Sequence, residues 1–176
     1  MIFIGIGSNL PSEFGDRFKN INLAMSFLQE KGIKLLKKSS FYESFSQPNK
    51  NDPKFLNVII SVETSLSPVE LMLFLISIEE KLGRKRGKKN DPRTCDIDII
   101  DYKGKSIRSN FVNLDLTIPH KSMLNRNFVL YPLKEICPYW AHPINKKNID
   151  VLIKNLKTTN NDITKLSESD INSYVK

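Results

Sequence analysis

Cysteine, histidine and tryptophan are scarce in this chain of 176 residues, which has two cysteines, two histidines and one tryptophan. Cys95 and Cys137 stand apart without C-x-x-C spacing, so neither a zinc site nor a disulfide framework is supported. Long apolar runs are missing too. The longest, "LMLFLISI" at 71–78, is too short to span a bilayer. The opening "MIFIGIGSNLPSEFG" has no basic leader and reaches Gly, Ser and Asn too early for a signal peptide, so a cytoplasmic protein is expected. Two nucleotide-binding patterns are also absent. "GIGSNL" lacks the last glycine of G-x-G-x-x-G, and "GRKRGKK" has neither the spacing nor the Ser/Thr of a P-loop. No internal repeat or low-complexity tract occurs.

What is present is an ordinary globular composition with a basic excess. The chain is 40% hydrophobic and 26% charged, with a net charge of +8 and a pI near 9.4. Its length suits a single domain with a real core. The charge points to an anionic partner, be it a nucleic acid, a nucleotide or a membrane surface. A lysine-rich surface that only aids solubility is the bland alternative.

Hydrophobic spacing gives the element order. "MIFIGI" reads as a buried first strand, followed by a turn-rich loop. Phe18, Ile21, Met25 and Leu28 recur at helical spacing over residues 16–31, and Gly32 supplies the stop. Residues 33–45 and 54–64 read as strands, separated by the polar "SQPNKNDP". In "SLSPVELMLFLISIEEKLG" Ser67 caps a second helix, Pro68 fits its first turn and Glu70 completes a capping box. Residues 94–102 form a further strand, and "NFVNLDLTIPH" is mostly extended. Helix is expected from Met123 to Pro132 or a little beyond, placing Arg126 one turn inside it, and again at 147–157. The division is a domain over 1–157 and a polar, frayed tail over 158–176. Strand–helix–strand–strand–helix–strand is the ferredoxin-like βαββαβ arrangement, with later helices free to cover the second face of the sheet. The expected class is α+β, an α/β/α three-layer sandwich.

The chemistry concentrates in "GRKRGKKNDPRTCDIDII" at 83–100, where six basic residues precede two aspartates. On a strand, Thr94, Asp96 and Asp98 share one face while Cys95, Ile97 and Ile99 take the core face. Two carboxylates roughly 6.6–7 Å apart along the backbone are costly unless a cation neutralises them. Few, hard oxygen ligands suit Mg²⁺ that also binds substrate phosphates, and two metals about 4 Å apart fit the same pair. D-x-D alone is a weak motif, since solvated strand faces produce it often. Arginine forks bind phosphate oxygens bidentately, so acids for metal beside bases for phosphate suit phosphoryl transfer. His120, after proline at a strand end, and Arg126 can also reach a phosphate, although a lone histidine is more often structural. Asn57, with donors and acceptors on one amide, suits the edge of a flat heterocycle. His142 has no such company.

Together "IGIGSNL", "SSFYES", "FLNVIISVETSLSP", "IEEKLGR", "DPRTCDIDII" and "IPHKSMLNRNFVLYPL" resemble the 6-hydroxymethyl-7,8-dihydropterin pyrophosphokinases of the folate pathway, over residues 1–140. The resemblance implies a ferredoxin-like α/β/α sandwich and transfer of pyrophosphate from MgATP to the pterin hydroxymethyl group, releasing AMP. It implies two Mg²⁺ ions on Asp96 and Asp98, with Arg84 and Arg93 stabilising charge during transfer. ATP contacts fall on Glu79, Arg84, Arg86, Arg93, His120 and Arg126. Pterin contacts fall on Ser44, Phe45, Phe55, Asn57 and Phe128. The implied partners are small molecules, with neither nucleic acid nor membrane, and the expected state is a monomer. The chain departs from the family at several points. Asn90 and Asp91 stand where many members carry an aromatic and Gly, Lys89 where they carry Arg, Lys121 where they carry Tyr, and Phe45 where they carry Pro. A basic ferredoxin-like RNA-binding module is the competing reading, and it would need an exposed aromatic sheet face. A nucleotidyl transferase with a two-aspartate palm is another, but it leaves "NRNF" and "FLN" without a role.

Overall fold

Ile2, Ile4 and Ile6 of the first strand enter one apolar cluster and Phe3 enters another, so this strand is buried on both faces. That is the pattern of a central strand between two helical layers. The computed structural model describes residues 1–47, 49–85, 91–111, 114–157 and 162–174, with the backbone alone at 111, 114 and 115. Strand β1 (Ile2–Ser8) lies between β5 (Asp96–Tyr102) and β4 (Phe55–Glu63). Beyond β4 come β2 (Lys34–Lys38) and β3 (Tyr42–Ser44), two halves of the strand expected over 33–45. All of these pairs are antiparallel. The order therefore matches the βαββαβ core.

Helix α1 (Arg17–Glu30) starts where the Asp16 carboxylate accepts from the Lys19 N–H at 2.8 Å. It ends at Gly32, whose φ of 81° a side chain would disfavour. Helix α2 (Pro68–Lys81) carries the full capping box of Ser67 and Glu70. Both pack on the face of Ile2, Ile4 and Ile6 through Phe18, Ile21, Leu28, Leu71 and Leu75. Helices α3 (Asn127–Ile136) and α4 (Ile149–Lys154) cover the opposite face, where Val129, Leu130, Leu133 and Ile149 meet Phe3, Ile59 and Ile100. The α/β/α sandwich is thus complete.

Three details differ from the expectations. The extended stretch before His120 is a separate two-stranded ribbon, β6 (Ile107–Phe111) with β7 (Leu114–Ile118). The segment from Met123 is not one helix: a 3-10 turn (Met123–Asn125) is followed by Arg126 in an extended conformation, φ −114° and ψ 103°. Arg126 therefore precedes α3 instead of lying one turn inside it. The tail does not fray over residues 162–174. Strand β8 (Ile163–Lys165) pairs with β3, Leu166 is buried in the core, and α5 (Glu168–Tyr174) sets Tyr174 against Phe18. Its polar composition hid one apolar anchor and one edge strand, and the open N–H and C=O groups of β3 gave that strand a partner. Residues 158–161, 175 and 176 of that tail lie outside the described residues.

Candidate active site

The site is built on the sheet face beneath α3, in rows that run across three strands. Asp96 of β5 stands opposite Gly7 of β1, and Gly7 opposite Asn57 of β4. One step along, Asp98 faces Gly5, and Gly5 faces Ile59. Glycine alternates with isoleucine in β1, so the side without side chains lies between the carboxylates and Asn57. A Cβ at Gly7 would meet the Asn57 Oδ1 at 3.4 Å, and one at Gly5 would meet Ile59 and Ile100 methyls at 3.3 Å. The two glycines form the floor of a cavity of about 310 Å³. Its span from Asp96 to Asn57, two strand spacings, is roughly 9–10 Å.

That cavity gathers most of the residues singled out in the sequence. Ser44, Phe45, Phe55, Asn57 and Phe128 line one part of it, with Arg93, Asp96, Asp98 and Arg126 lining the rest. Asn57 is held by its own donors: Nδ2 lies 3.2 Å from the Tyr42 carbonyl, 3.0 Å from the Ser44 hydroxyl and 3.3 Å from the Phe55 carbonyl. The amide is thereby fixed in orientation, which recognition of a ligand edge requires. Arg93 lies over the Phe55 ring at 5.4 Å and Arg126 over the Phe128 ring at 5.5 Å. Each aromatic wall thus has a cation beside it.

The carboxylates face the cavity while Cys95, Ile97 and Ile99 are buried behind them, as strand alternation requires. Four basic groups surround the pair. Arg84 reaches Asp96 at 2.7 Å and Arg93 reaches it at 3.7 Å. On the other carboxylate, Arg126 is 3.6 Å and His120 Nε2 3.7 Å from Asp98. The Ser122 N–H donates to His120 Nδ1 at 3.3 Å, leaving Nε2 to carry the proton that points at Asp98. Burial, and then the charge of Asp96, raise the Asp98 pKa against the pull of His120, Arg126 and Arg84. Desolvation lowers that of His120 against the pull of Asp98. The two acids repel each other but are offset by Arg84, Arg93 and Arg126, so added positive charge fits here only in company with anionic phosphates. Among the described residues no group of three or more His, Cys, Asp or Glu is arranged around a metal. Two carboxylates with open positions fit Mg²⁺ shared with phosphate oxygens, and Asp96 and Asp98 would hold it.

Glu79 sits behind this ring. It is 3% exposed, accepts from the Ile97 N–H at 2.7 Å and forms a short ion pair with Arg84. Burial pushes its carboxyl up to about 7, although Arg84 and the Ile97 hydrogen bond oppose this. Neither Glu79 nor Arg84 lines the cavity itself. Arg86 and Asn90, with Lys88 and Lys89, lie outside the described residues. Sequence reading missed Gly5 and Gly7 as floor, although glycines two apart on a strand are a sign of close backbone approach. It also missed Gln47, Asn125 and Asn127 on the wall. Asn127 accepts from the Phe128 N–H at 2.7 Å, and its buried Nδ2 makes no hydrogen bond.

Paired carboxylates, arginines and a rigidly held amide around one sheet-face pocket suit a phosphoryl-group transferase of ferredoxin-like fold. The sequence profile of 7,8-dihydro-6-hydroxymethylpterin-pyrophosphokinase (HPPK) matches residues 3–138. The chain belongs to this family, whose reaction is pyrophosphoryl transfer to hydroxymethyldihydropterin in folate synthesis, with ATP as co-substrate. It is 39% identical over 146 residues to the 2-amino-4-hydroxy-6-hydroxymethyldihydropteridine pyrophosphokinase of Aquifex aeolicus, covering 83% of this chain and 86% of that protein. Against the Bacillus subtilis protein of the same description it is 38% identical over 136 residues, 77% of each chain. Against the folic acid synthesis protein fol1 of Pneumocystis carinii it is 41% identical over 143 residues, 81% of this chain but 18% of that longer protein. Among solved structures, Plasmodium falciparum HPPK-DHPS has a TM-score of 0.69 at 14% identity, covering 87% of this chain and 42% of that one. That likeness supports the fold.

Proposed function

We propose that this cavity carries out the family reaction on 6-hydroxymethyl-7,8-dihydropterin, with the pterin against Asn57 and the triphosphate of ATP against the arginines. The hydroxymethyl oxygen forms a bond to the β-phosphorus of ATP, the bond from that phosphorus to the α-bridging oxygen breaks, AMP leaves, and the hydroxyl proton is released. The observation that carries the reading is the row Asp96–Gly7–Asn57, which puts a carboxylate and a rigidly held amide at the two ends of one floor.

Each residue has a task in this reading. Ser44 and Asn57 fix the pterin edge, while Phe45, Phe55 and Phe128 supply apolar walls for its ring. Arg93 and Arg126, each already over an aromatic ring, receive phosphate oxygens beside the bound ring system. His120 donates from Nε2 to a phosphate. Arg84 and Arg93 stabilise the charge that shifts toward the AMP oxygen. Glu79 fixes Arg84 from behind, with Arg86 assigned to ATP from the family likeness. Asp96 and Asp98 would hold Mg²⁺, two ions in this reading, which supply charge neutralisation at the phosphates and lower the pKa of the attacking hydroxyl. Action as a monomer belongs to this reading. No helix among the described residues is long and apolar enough to cross a membrane. A cytoplasmic enzyme acting on small molecules, with neither nucleic acid nor membrane as partner, is the reading carried forward.

The test is AMP release from MgATP with and without the pterin, for the wild type and for Asp96→Asn and Asp98→Asn. Pterin-dependent AMP is expected from the wild type, with loss of at least roughly a hundredfold in each variant. Absence of pterin-dependent AMP from folded wild type, or full turnover in both variants, rejects the reading.

A further inference from the structure

The buried side chain of Asn9 belongs to neither half of the cavity, yet it touches the backbone that carries each. Asn9 is 2% exposed, in the turn that follows β1. Its Oδ1 accepts from the Arg93 N–H at 2.7 Å, and its Nδ2 donates to the Pro53 carbonyl at 3.0 Å. One amide therefore joins the segment that enters β5 to the end of the loop that enters β4. These segments are 84 and 44 residues away from Asn9 in sequence.

What lies just beyond each contact gives the link its meaning. Arg93 leads into Asp96, and its guanidinium is 3.7 Å from that carboxylate. Two residues after Pro53 comes Phe55, over whose ring the same guanidinium lies at 5.4 Å. The amide thus fixes the backbone of Arg93 relative to the backbone of Phe55. A planar amide with its two bonds made on opposite atoms allows little change in that separation. The two contacts are not equally supported by neighbours. The Arg93 carbonyl also receives the backbone N–H groups of Asn9 at 3.1 Å and Leu10 at 3.2 Å. The Thr94 carbonyl receives the Ser8 hydroxyl at 2.6 Å and the Asn20 amide at 3.1 Å. The β5 side is therefore held by several bonds. On the β4 side Arg17 donates to the Lys54 carbonyl at 2.6 Å and Lys54 pairs with Glu43 at 3.1 Å, but the bond that joins this side to the β5 segment, at Pro53, rests on Asn9 Nδ2.

We propose that Asn9 is a positioning residue that ties the pterin-side segment, residues 49–53, to the phosphate-side segment at Arg93, and so sets the spacing between the two substrate subsites. This rests on the assignment of pterin and ATP given above. Asn9 itself touches no reacting atom; it acts through Arg93 and Phe55. The asymmetry of its support makes the effect selective. Asn9→Asp keeps an oxygen acceptor for the Arg93 N–H but sets a carboxylate oxygen against the Pro53 carbonyl. Pro53 is then freed from its link to Arg93, with Lys54 still held by Arg17, while the phosphate side stays anchored. Asn9→Ala removes both bonds.

Amide hydrogen exchange and steady-state kinetics on wild type, Asn9→Asp, Asn9→Ala and Ser12→Ala decide the matter. Ser12 donates to Asn20 at 2.5 Å in the same turn and serves as the control for general loosening. In Asn9→Asp, exchange is expected to quicken across 49–53 and to stay near wild type across 93–96. KM for the pterin is expected to rise roughly three- to tenfold, the worth of one hydrogen bond, with KM for ATP within about twofold. In Asn9→Ala, exchange at 93–96 quickens too and KM for ATP rises as well, whereas Ser12→Ala shows no such split between substrates. Equal rises of both KM values in Asn9→Asp, or unchanged exchange across 49–53, overturn the proposal. Should Asn9→Ala not fold, the comparison of Asn9→Asp with Ser12→Ala decides alone. The exchange pattern is read without substrate, so it still judges the tether if wild type shows no pterin-dependent AMP and the functional reading itself fails.

Discussion

Glu79→Gln should make the protein more stable relative to wild type as pH rises, the reverse of what removing an ion-paired acid does at a surface. The Glu79 side chain is 4% exposed, and burial lifts its pKa from 4.5 in a free carboxyl to about 7 in the fold. Between those values the folded protein holds a proton that the unfolded chain has lost. Stability therefore falls as pH rises through this window, being fully present below about 4.5 and lost above about 7. At 1.36 kcal/mol per pH unit the whole window is worth about 3 kcal/mol, an order-of-magnitude figure. Gln keeps an oxygen for the Ile97 N–H and carries no charge, so the variant lacks this pH dependence. Urea unfolding at pH 5, 6, 7 and 8, followed by the fluorescence of buried Trp140, gives both free energies. The difference, variant minus wild type, should grow by about 2–3 kcal/mol from pH 5 to pH 8. A constant difference would refute the reasoning: the Arg84 ion pair would then outweigh burial and keep Glu79 ionised throughout.

Two further outcomes follow from the geometry. Asn57→Ala should raise KM for the pterin by about tenfold or more while KM for ATP changes little, since the amide lies at the end of the floor away from Asp96; steady-state kinetics with each substrate varied would show otherwise if both constants moved together. Leu166→Ala should cost about 2–4 kcal/mol in urea unfolding, as for a packed core leucine, whereas a frayed tail would register under about 0.5 kcal/mol.

The central elements were legible because their signals are local. Ser67, Pro68 and Glu70 mark the start of α2, Gly32 and Gly83 mark helix ends, and the alternation from Thr94 to Ile99 places both aspartates on one face. The tail was misread because Leu166 is a single apolar residue in a polar segment. Its burial depends on the edge of β3, 124 or so residues earlier, which no local window contains. Arg126 was placed inside a helix because periodicity runs smoothly through "MLNRNFVLYPL". Met123 before the break and Val129 and Leu130 after it are all buried in the cluster of Phe3, Ile59 and Ile100, a tertiary constraint that periodicity does not carry. His142, left without a role, is a buried cap whose Nδ1 accepts from the Ile144 and Asn145 N–H groups at 3.3 Å.

Composition placed acids beside bases but could not say which bases would be held and which would be free to turn toward a ligand. Geometry separates them. Arg84 is fixed from two sides, by Asp96 at 2.7 Å and by the buried Glu79 behind it. Arg93, Arg126 and His120 stand 3.6–3.7 Å from their carboxylates, beyond hydrogen-bond length. A guanidinium at that distance in a partly wet cavity gives up little when a phosphate oxygen offers two parallel bonds instead. The three loosely held groups are therefore suited to exchange partners as a polyphosphate enters, and Arg84 to stay while they do. In the proposed reading the acids would then be left with Arg84 as their main neutralising charge, which would favour a divalent ion arriving with the phosphates at Asp96 and Asp98.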